Sequence, residues 1–195
     1  DFDIGNANTM LEIFKNGTSA SECVVGTRFE NISMIPSKGM LRRVDRLLSD
    51  KNPKLLMDKM LASVENDFDI IFMDLPPTYT RLTESAYLAA DLVILPYDTS
   101  SFSIEVVMLT YEDLQASIAE YEVKREIEVK VLMNKYSTTT VASKEAFSAM
   151  AKIMNDKILP FTIKASSDIV NCINNGKNLF ESKANAEVKA NIDEL

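Results

Sequence analysis

The acidic residues best placed for chemistry in this sequence are Asp74 and a D-x-D pair, Asp1 and Asp3. Asp74 closes the apolar run of residues 68–73 and precedes Leu75, Pro76 and Pro77. An aspartate in that position suits water-mediated binding of a divalent cation beside a phosphate chain. A carboxylate of the D-x-D pair could orient a water molecule for attack on a phosphate.

A third candidate is the dipeptide Asn134-Lys135, which closes the apolar run that begins at residue 127. The asparagine amide can offer both a donor and an acceptor to the edge of a purine. Each candidate also has a simpler structural explanation. Asp74 could cap a helix or sit in a turn, the D-x-D pair could belong to a solvated turn, and Asn134 could be a turn residue.

The composition excludes several classes of function. The chain of 195 residues contains no histidine, which removes serine–histidine and cysteine–histidine catalysis and every histidine metal site. It carries 21 basic and 29 acidic residues, a net charge of −8, so it is not a nucleic-acid-binding protein that is basic throughout. Its two cysteines are far apart, which excludes a disulfide framework and predicts free thiols in a reducing cytoplasm. No apolar run is long enough for a membrane-spanning helix.

The elements that must position these residues alternate between strands and helices. Apolar runs at 68–74, 91–96 and 127–134 predict strands buried on both faces, with a weaker strand at 31–36 and an edge strand at 157–160. Apolar stripes with helical spacing lie at 57–64, 104–118 and 147–154. This alternation predicts an α/β fold, with a mostly parallel sheet flanked by helices on both faces. Asp74 and Asn134 should then lie at carboxyl strand ends on the same edge of that sheet.

Four motifs occur in order: D-x-D-x-G-x-x-N at 1–8, an apolar strand into D-x-P-P at 68–77, A-A-D-x-V-I-x-P at 89–96, and a strand into N-K-Y at 131–136. In this order the chain resembles the ParA/MinD ATPases over nearly its whole length. The resemblance implies a P-loop NTPase fold over residues 1–195 as a single domain. It also implies ATP and ADP as ligands, Mg²⁺-dependent hydrolysis and a homodimer formed around two ATP molecules.

The resemblance assigns catalytic roles to the D-x-D pair, with Asp3 positioning the attacking water and Asp1 near the magnesium and phosphate network. It implies that Asp74 holds magnesium through water, and that Pro76 and Pro77 belong to the switch that follows. The nucleotide-binding residues implied by the resemblance are Asn134, Lys135 and Pro160.

The chain departs from the family in its phosphate-binding element. The family carries a deviant Walker A loop, K-G-G-x-G-K-[ST], directly upstream of D-x-D. The five glycines of this chain are dispersed and no G-K-[ST] occurs. We therefore expect a further segment upstream of Asp1 and only weak ATP binding by residues 1–195, because converging backbone N–H groups and a lysine are needed to hold phosphates.

Two further departures concern local motifs. Ile4 and Gly5 follow D-x-D where the family often has proline and then glutamine, which fits the MinD branch and its flagellar relatives. Residues 161–164 occupy the place of the base-proximal loop without its usual I-P.

The leading hypothesis is an ATPase for plasmid or chromosome partition or for intracellular positioning, with a ParB-like or other activator as partner. The alternative is a non-catalytic ParA-like scaffold for polar localisation or for siting flagella or pili. An iron–sulfur electron-transfer relative is disfavoured because its paired cysteines are missing. The tail from residue 184 is too acidic for the basic amphipathic helix with which MinD proteins reach membranes.

A basic cluster between positions 38 and 54 is the candidate for non-specific DNA binding, centred on Arg42, Arg43 and Arg46. The other basic residues in the cluster are Lys38, Lys51 and Lys54. The alternative explanation is a solvated helix face.

Overall fold

The computed structural model describes residues 7–37, 41–48 and 50–180. The chain divides into two compact units. The first runs to Ala90 and also takes in Leu114–Lys124, and the second contains Asp91–Asp113 and the chain from Arg125 onward.

The first unit is mainly helical. Its helices are α1 (Met10–Asn16), α2 (Leu41–Leu48), α3 (Pro53–Leu61) and α4 (Arg81–Ala89), with a 3-10 turn at Ala20–Cys23. Its short strands β1 (Val25–Gly26) and β2 (Ser33–Met34) pair antiparallel as a two-stranded sheet. The weak strand expected at 31–36 is therefore present, but it belongs to a hairpin and not to the parallel sheet.

Local signals explain where these helices begin. Thr9 caps α1 in a reciprocal arrangement with Glu12, and α1 ends at Gly17, whose φ of 73° suits glycine. Asn52 caps α3, which has proline in its first turn. The core of the unit is built from the apolar stripes of α2, α3 and α4, including Val44, Leu48, Met57, Met60, Leu82 and Ala86.

The second unit holds the predicted parallel sheet. Its strands are β3 (Leu92–Tyr97), β4 (Glu128–Tyr136) and β5 (Ile158–Lys164), paired parallel in the order β3-β4-β5. Helix α5 (Ser101–Glu120) follows β3 and its last residues belong to the first unit, α6 (Val141–Met154) follows β4, and α7 (Ser167–Asn174) follows β5. The prediction of an α/β fold with a parallel sheet flanked by helices is confirmed.

The central strand agrees best with its sequence pattern. Val131, Leu132 and Met133 are buried in succession, as expected for a strand covered on both faces. In β3 only every second residue is buried, namely Val93, Leu95 and Tyr97, while Leu92 and Ile94 are exposed. The apolar run of β3 therefore buries one face.

The prediction of a strand at 68–74 is wrong for the described part of the chain. This segment has an irregular backbone, and Ile70 and Phe72 are 70% and 89% exposed. Phe68 and Met73 instead pack against the core of the first unit. A strand requires a hydrogen-bonded neighbour, and the sheets formed by the described residues are β1-β2 and β3-β4-β5 alone. Asp74 therefore does not close a strand, and the prediction that placed it at the carboxyl end of one is wrong too.

Candidate functional site

The carboxyl edge of the parallel sheet brings together polar residues from adjacent strands. Tyr97 of β3 pairs in register with Met133 of β4, so the next residues, Asp98 and Asn134, lie at the same edge of the sheet. Tyr136 pairs with Lys164 at the end of β5. This edge is where parallel α/β sheets bind ligands.

The Asn134-Lys135 dipeptide forms an irregularity near the end of β4. Between Met133 and Tyr136 the pairing with β5 shifts register, and Lys135 has a φ of 56°, in the left-handed region. The backbone N–H of Lys135 donates to Oδ1 of Asn134 (2.9 Å). Bulges of this kind re-aim side chains and are common near functional sites, and a lysine held at positive φ is strained.

Asp98 supplies the negative charge at this edge. Its carboxylate accepts a hydrogen bond from the backbone N–H of Ser100 (3.0 Å), and its own N–H donates to the Ser103 hydroxyl (3.0 Å). Hydrogen bonds from Ser100 lower the pKa of the Asp98 carboxyl, with a smaller contribution from the positive charge of Lys135. Asp98 is therefore ionised at neutral pH, close enough to Lys135 for their charges to interact.

Pro160 lies within β5 and not at its carboxyl end. It is exposed, and the register with β4 is irregular around it, with Val131 paired to Ile158 and Met133 to Thr162. Proline has no N–H to donate to a ladder, so it is tolerated in an edge strand of this kind. Its nucleotide-binding role stays a prediction.

Asp74, Pro76 and Pro77 lie in a loop of the first unit, and all three are exposed. The backbone N–H of Thr78 donates to the Pro76 carbonyl (2.8 Å) and closes a tight turn after the prolines. Asp74 is exposed to solvent just before this turn.

The chemistry of Asp74 fits magnesium. No group of three or more histidine, cysteine or acidic side chains that could hold a metal occurs within the described residues. Magnesium does not need such a cage, since it keeps several waters and takes one or two carboxylates together with substrate phosphates. Asp74, as an exposed single carboxylate, is suited to contact the ion's water shell.

The structure reduces the number of basic residues in the 38–54 cluster that are available to contact DNA. The ammonium group of Lys54 donates to the carbonyl oxygens of Tyr121 (2.8 Å) and Glu122 (3.1 Å), so it caps the end of α5. Arg46 and Lys51 are exposed. Arg42 and Arg43 lie in α2, but their side chains fall outside the described part of the structure, as do Lys38 and the whole of the D-x-D pair, Asp1 and Asp3.

The sequence places Tyr97 and Asp98 directly after the apolar run at 91–96, but the sequence motifs assign neither of them a role. The charges of Asp98 and Lys135 interact, and the run D-T-S-S-F-S from position 98 is a helix-start signal in the sequence. Tyr97 is 2% exposed, and its hydroxyl finds no hydrogen-bond partner among the described residues. Only the alternation of β3 hints that Tyr97 faces inward.

Comparison with known proteins identifies the family. A family model described as an AAA domain matches residues 2–131, two thirds of the chain. The chain belongs to this family. Its relatives place it with the ParA/MinD P-loop ATPases, which confirms the resemblance seen in the motifs.

Two curated relatives illustrate this placement. The cell division protein PomZ of Myxococcus xanthus is 22% identical over 193 residues, covering 96% of this chain and 60% of PomZ. The chromosome-partitioning ATPase Soj of Treponema pallidum is 25% identical over 163 residues, covering 81% of this chain and 64% of Soj. The chain thus spans less than two thirds of the length of these relatives.

Solved structures agree on the fold. Apo McdA of Cyanothece superposes with a TM-score of 0.86 at 21% identity, covering 97% of this chain and 77% of McdA. A complex of McdA with ATP superposes with a TM-score of 0.85 at 22% identity, covering 97% of this chain and 74% of McdA. Within the described residues of the ParA/MinD-family chain, no helix is long and apolar enough to cross a membrane.

Proposed function

We propose that this ParA/MinD-family protein is a partition or positioning ATPase, in which ATP binding drives dimerisation and partner binding. The observation that carries the proposal is the cluster of Asp98, Asn134 and Lys135 at the carboxyl edge of a parallel sheet. Relatives named as a cell division protein and a chromosome-partitioning ATPase support it.

In this proposal each candidate residue has one role in nucleotide chemistry. Asn134 would read the adenine edge, and the irregularity at Lys135 would orient it. Asp74 would hold the water shell of Mg²⁺, which supplies charge neutralisation for the phosphates when bound. Asp3 would orient the attacking water, and Asp1 would act near the magnesium and phosphate network. Pro76 and Pro77 would respond to the occupant of the phosphate site as a switch.

The proposal includes a homodimer, a ParB-like or other activator protein, and a cytoplasmic location. The free thiols Cys23 and Cys172, both buried, support a reducing compartment. The alternative is the non-catalytic ParA-like scaffold, which would localise without turnover. ATP hydrolysis distinguishes the ATPase from the scaffold, and it should be measured on a form that carries the family's phosphate loop ahead of Asp1. The scaffold would show no nucleotide turnover above the background rate.

Residues 1–195 alone should bind ATP only weakly. They contain no glycine-rich loop with its lysine, so the phosphates would lack their converging N–H donors. Calorimetric titration with MgATP should give an affinity weaker than micromolar. A micromolar or tighter constant would contradict this and show that another element holds the phosphates.

Neutralising Arg42 and Arg43 together should weaken non-specific DNA binding, if α2 contacts DNA. Each phosphate that is no longer neutralised by an arginine should reduce the slope of log K against log salt by about 0.9. The measurement is a salt series of binding to random-sequence duplex. Lys54→Gln is a matched control, because Lys54 is engaged with the end of α5 and its replacement should leave the slope unchanged. An unchanged slope in the arginine double mutant would assign DNA binding elsewhere.

A further inference from the structure

A buried acidic residue, Glu84, is the centre of a polar network in the first unit. Glu84 lies in the first turn of α4 and is 8% exposed. Its Oε2 accepts from the Arg81 guanidinium (2.8 Å) and its Oε1 from the Ser117 hydroxyl (2.8 Å). A buried carboxylate is tolerated only when its oxygens are paired in this way.

The network continues from Ser117 to the loop that carries Asp74. The Ser117 oxygen lies 2.8 Å from the hydroxyl of Tyr79. A carboxylate is acceptor-only, so the single proton of Ser117 goes to Glu84, and Tyr79 must donate to Ser117. Tyr79 therefore donates to Ser117, which donates to Glu84, in a directed chain that ends on a charge.

Thr83 also holds the loop on either side of Tyr79, at Thr78 and at Thr80. Thr80 and Thr83 cap the start of α4 reciprocally, with the Thr80 N–H donating to the Thr83 hydroxyl oxygen (2.7 Å). The Thr83 hydroxyl lies 3.0 Å from the carbonyl oxygens of both Thr78 and Thr80, which share its proton. Thr83 itself is fully buried.

The same network reaches Ser117 in the last turn of α5 and the two residues that follow the helix, Tyr121 and Glu122. The Arg81 guanidinium, besides binding Glu84, donates to the hydroxyl of Tyr121 (2.9 Å), and Lys54 caps the carbonyls of Tyr121 and Glu122. Asp74, Pro76 and Pro77 are exposed, as Tyr79 itself is (43%), and Leu75 between them packs against the core of the first unit. The turn at Thr78, whose N–H donates to the Pro76 carbonyl, is the backbone bond that joins this segment to the residues held by the network. The hydrogen bonds of the network thus begin at Thr78.

We propose that Tyr79, Ser117 and Glu84 form an anchor that confines conformational change in this loop to residues 74–77 and couples it to the end of α5. The functional consequence rests on the proposed nucleotide-dependent switch, whereas the anchoring itself does not. Tyr79 is a positioning residue here. It acts on Asp74 through the loop and contacts no reactant.

Hydrogen exchange of the backbone amides tests the anchor without any nucleotide. Tyr79→Phe removes the donor hydroxyl and leaves the bond between Ser117 and Glu84 in place. Exchange at Thr78 and Thr80 should accelerate about three- to tenfold, the change expected when one hydrogen bond is removed. Tyr121→Phe is the matched control, since it removes a tyrosine hydroxyl from Arg81 and should leave exchange at Thr78 unchanged.

Two readouts separate anchoring from general destabilisation. The global unfolding midpoint of Tyr79→Phe should stay near that of the parent while the loop amides accelerate. The protein has no tryptophan, so Thr78→Trp gives a single reporter whose fluorescence anisotropy should fall when Tyr79→Phe is added. Uniform acceleration over the first unit, or unchanged exchange at Thr78, would overturn the anchor.

The switch consequence is tested with MgATP in a form that carries the phosphate loop. Exchange should change at the amides of Asp74 and Leu75, since Pro76 and Pro77 have none, and in the last turn of α5, but not at residues 80–83. In Tyr79→Phe the change in α5 should disappear. Absence of any ATP binding would refute the proposed function and leave the nucleotide-free result standing, whereas a change that extends through residues 80–83 of the parent would refute the anchor.

Discussion

Replacing Asp3 by alanine should lower ATP turnover by about 10²–10⁴-fold, the loss typical of a positioned base. The prediction applies to a form of the protein that carries the family's phosphate loop ahead of Asp1. A water must be held in line with the terminal phosphate bond, and an anionic acceptor behind it orients that water. The chain has no histidine that could take over this role.

In Asp3→Ala, nucleotide affinity should not fall together with turnover. In the proposed role Asp3 is an anion near the phosphates, so its loss should leave ATP affinity unchanged or raise it. Asp74→Ala should lower both turnover and the Mg²⁺-dependent affinity for ATP, because the ion's water shell would lose a carboxylate partner. The two roles can therefore be told apart: turnover alone falls in Asp3→Ala, whereas turnover and ATP affinity both fall in Asp74→Ala.

Single-turnover hydrolysis beside ATP affinity, with and without Mg²⁺, measures both effects. Asp69→Ala is a matched control, because Asp69 is an exposed aspartate five residues before Asp74 and has no assigned role. It should leave both quantities near the parent values. If Asp3→Ala turns over at the parent rate, the D-x-D pair is a structural turn and the catalytic assignment is wrong.

Hydrophobic periodicity predicts some elements of this fold and fails at others. Apolar runs correctly predict β3, β4 and β5, and helical stripes predict α3, α5 and α6. The same signal fails at residues 68–74, because an apolar run reports burial but not which segment pairs with it. Phe68 and Met73 do pack against a core, but no neighbour in the described chain supplies a ladder.

The sequence likewise predicts some features of the candidate site and not others. Asn134 is expected near a strand end and lies there, because a polar residue after an apolar run is visible in the sequence. The irregular pairing and the positive φ of Lys135 are not visible in the sequence, since they depend on the register with β5. The anchor is also hidden, because Tyr79 and Ser117 are 38 positions apart and meet only through folding.

Replacing Tyr97 by phenylalanine should flatten the loss of stability at alkaline pH. Tyr97 is almost fully buried at the end of β3, and burial raises the pKa of its hydroxyl to about 12. In the unfolded chain the same hydroxyl ionises near a pH of about 10. The folded pKa is therefore the higher one, so this contribution to stability is complete below a pH of about 10 and is lost between about pH 10 and about pH 12.

The size of the effect follows from the two pKa values. A difference of about two units corresponds to about 3 kcal/mol of unfolding free energy at the upper end of that range. At neutral pH the substitution should be neutral or stabilising by about 1 kcal/mol, because it removes a buried hydroxyl that has no partner among the described residues. The Asp98 backbone bond to Ser103 does not involve this hydroxyl and should persist.

Urea unfolding of the parent and of Tyr97→Phe at pH 7, 9, 10 and 11 measures both quantities on the same samples. The parent should lose stability relative to the variant only above about pH 10, where the unfolded tyrosine begins to ionise. Destabilisation of the variant at pH 7 would show that the hydroxyl has a partner in solution. Curves that fall in parallel above about pH 10 would show that water reaches the hydroxyl, because only a desolvated tyrosine resists ionisation in the folded state.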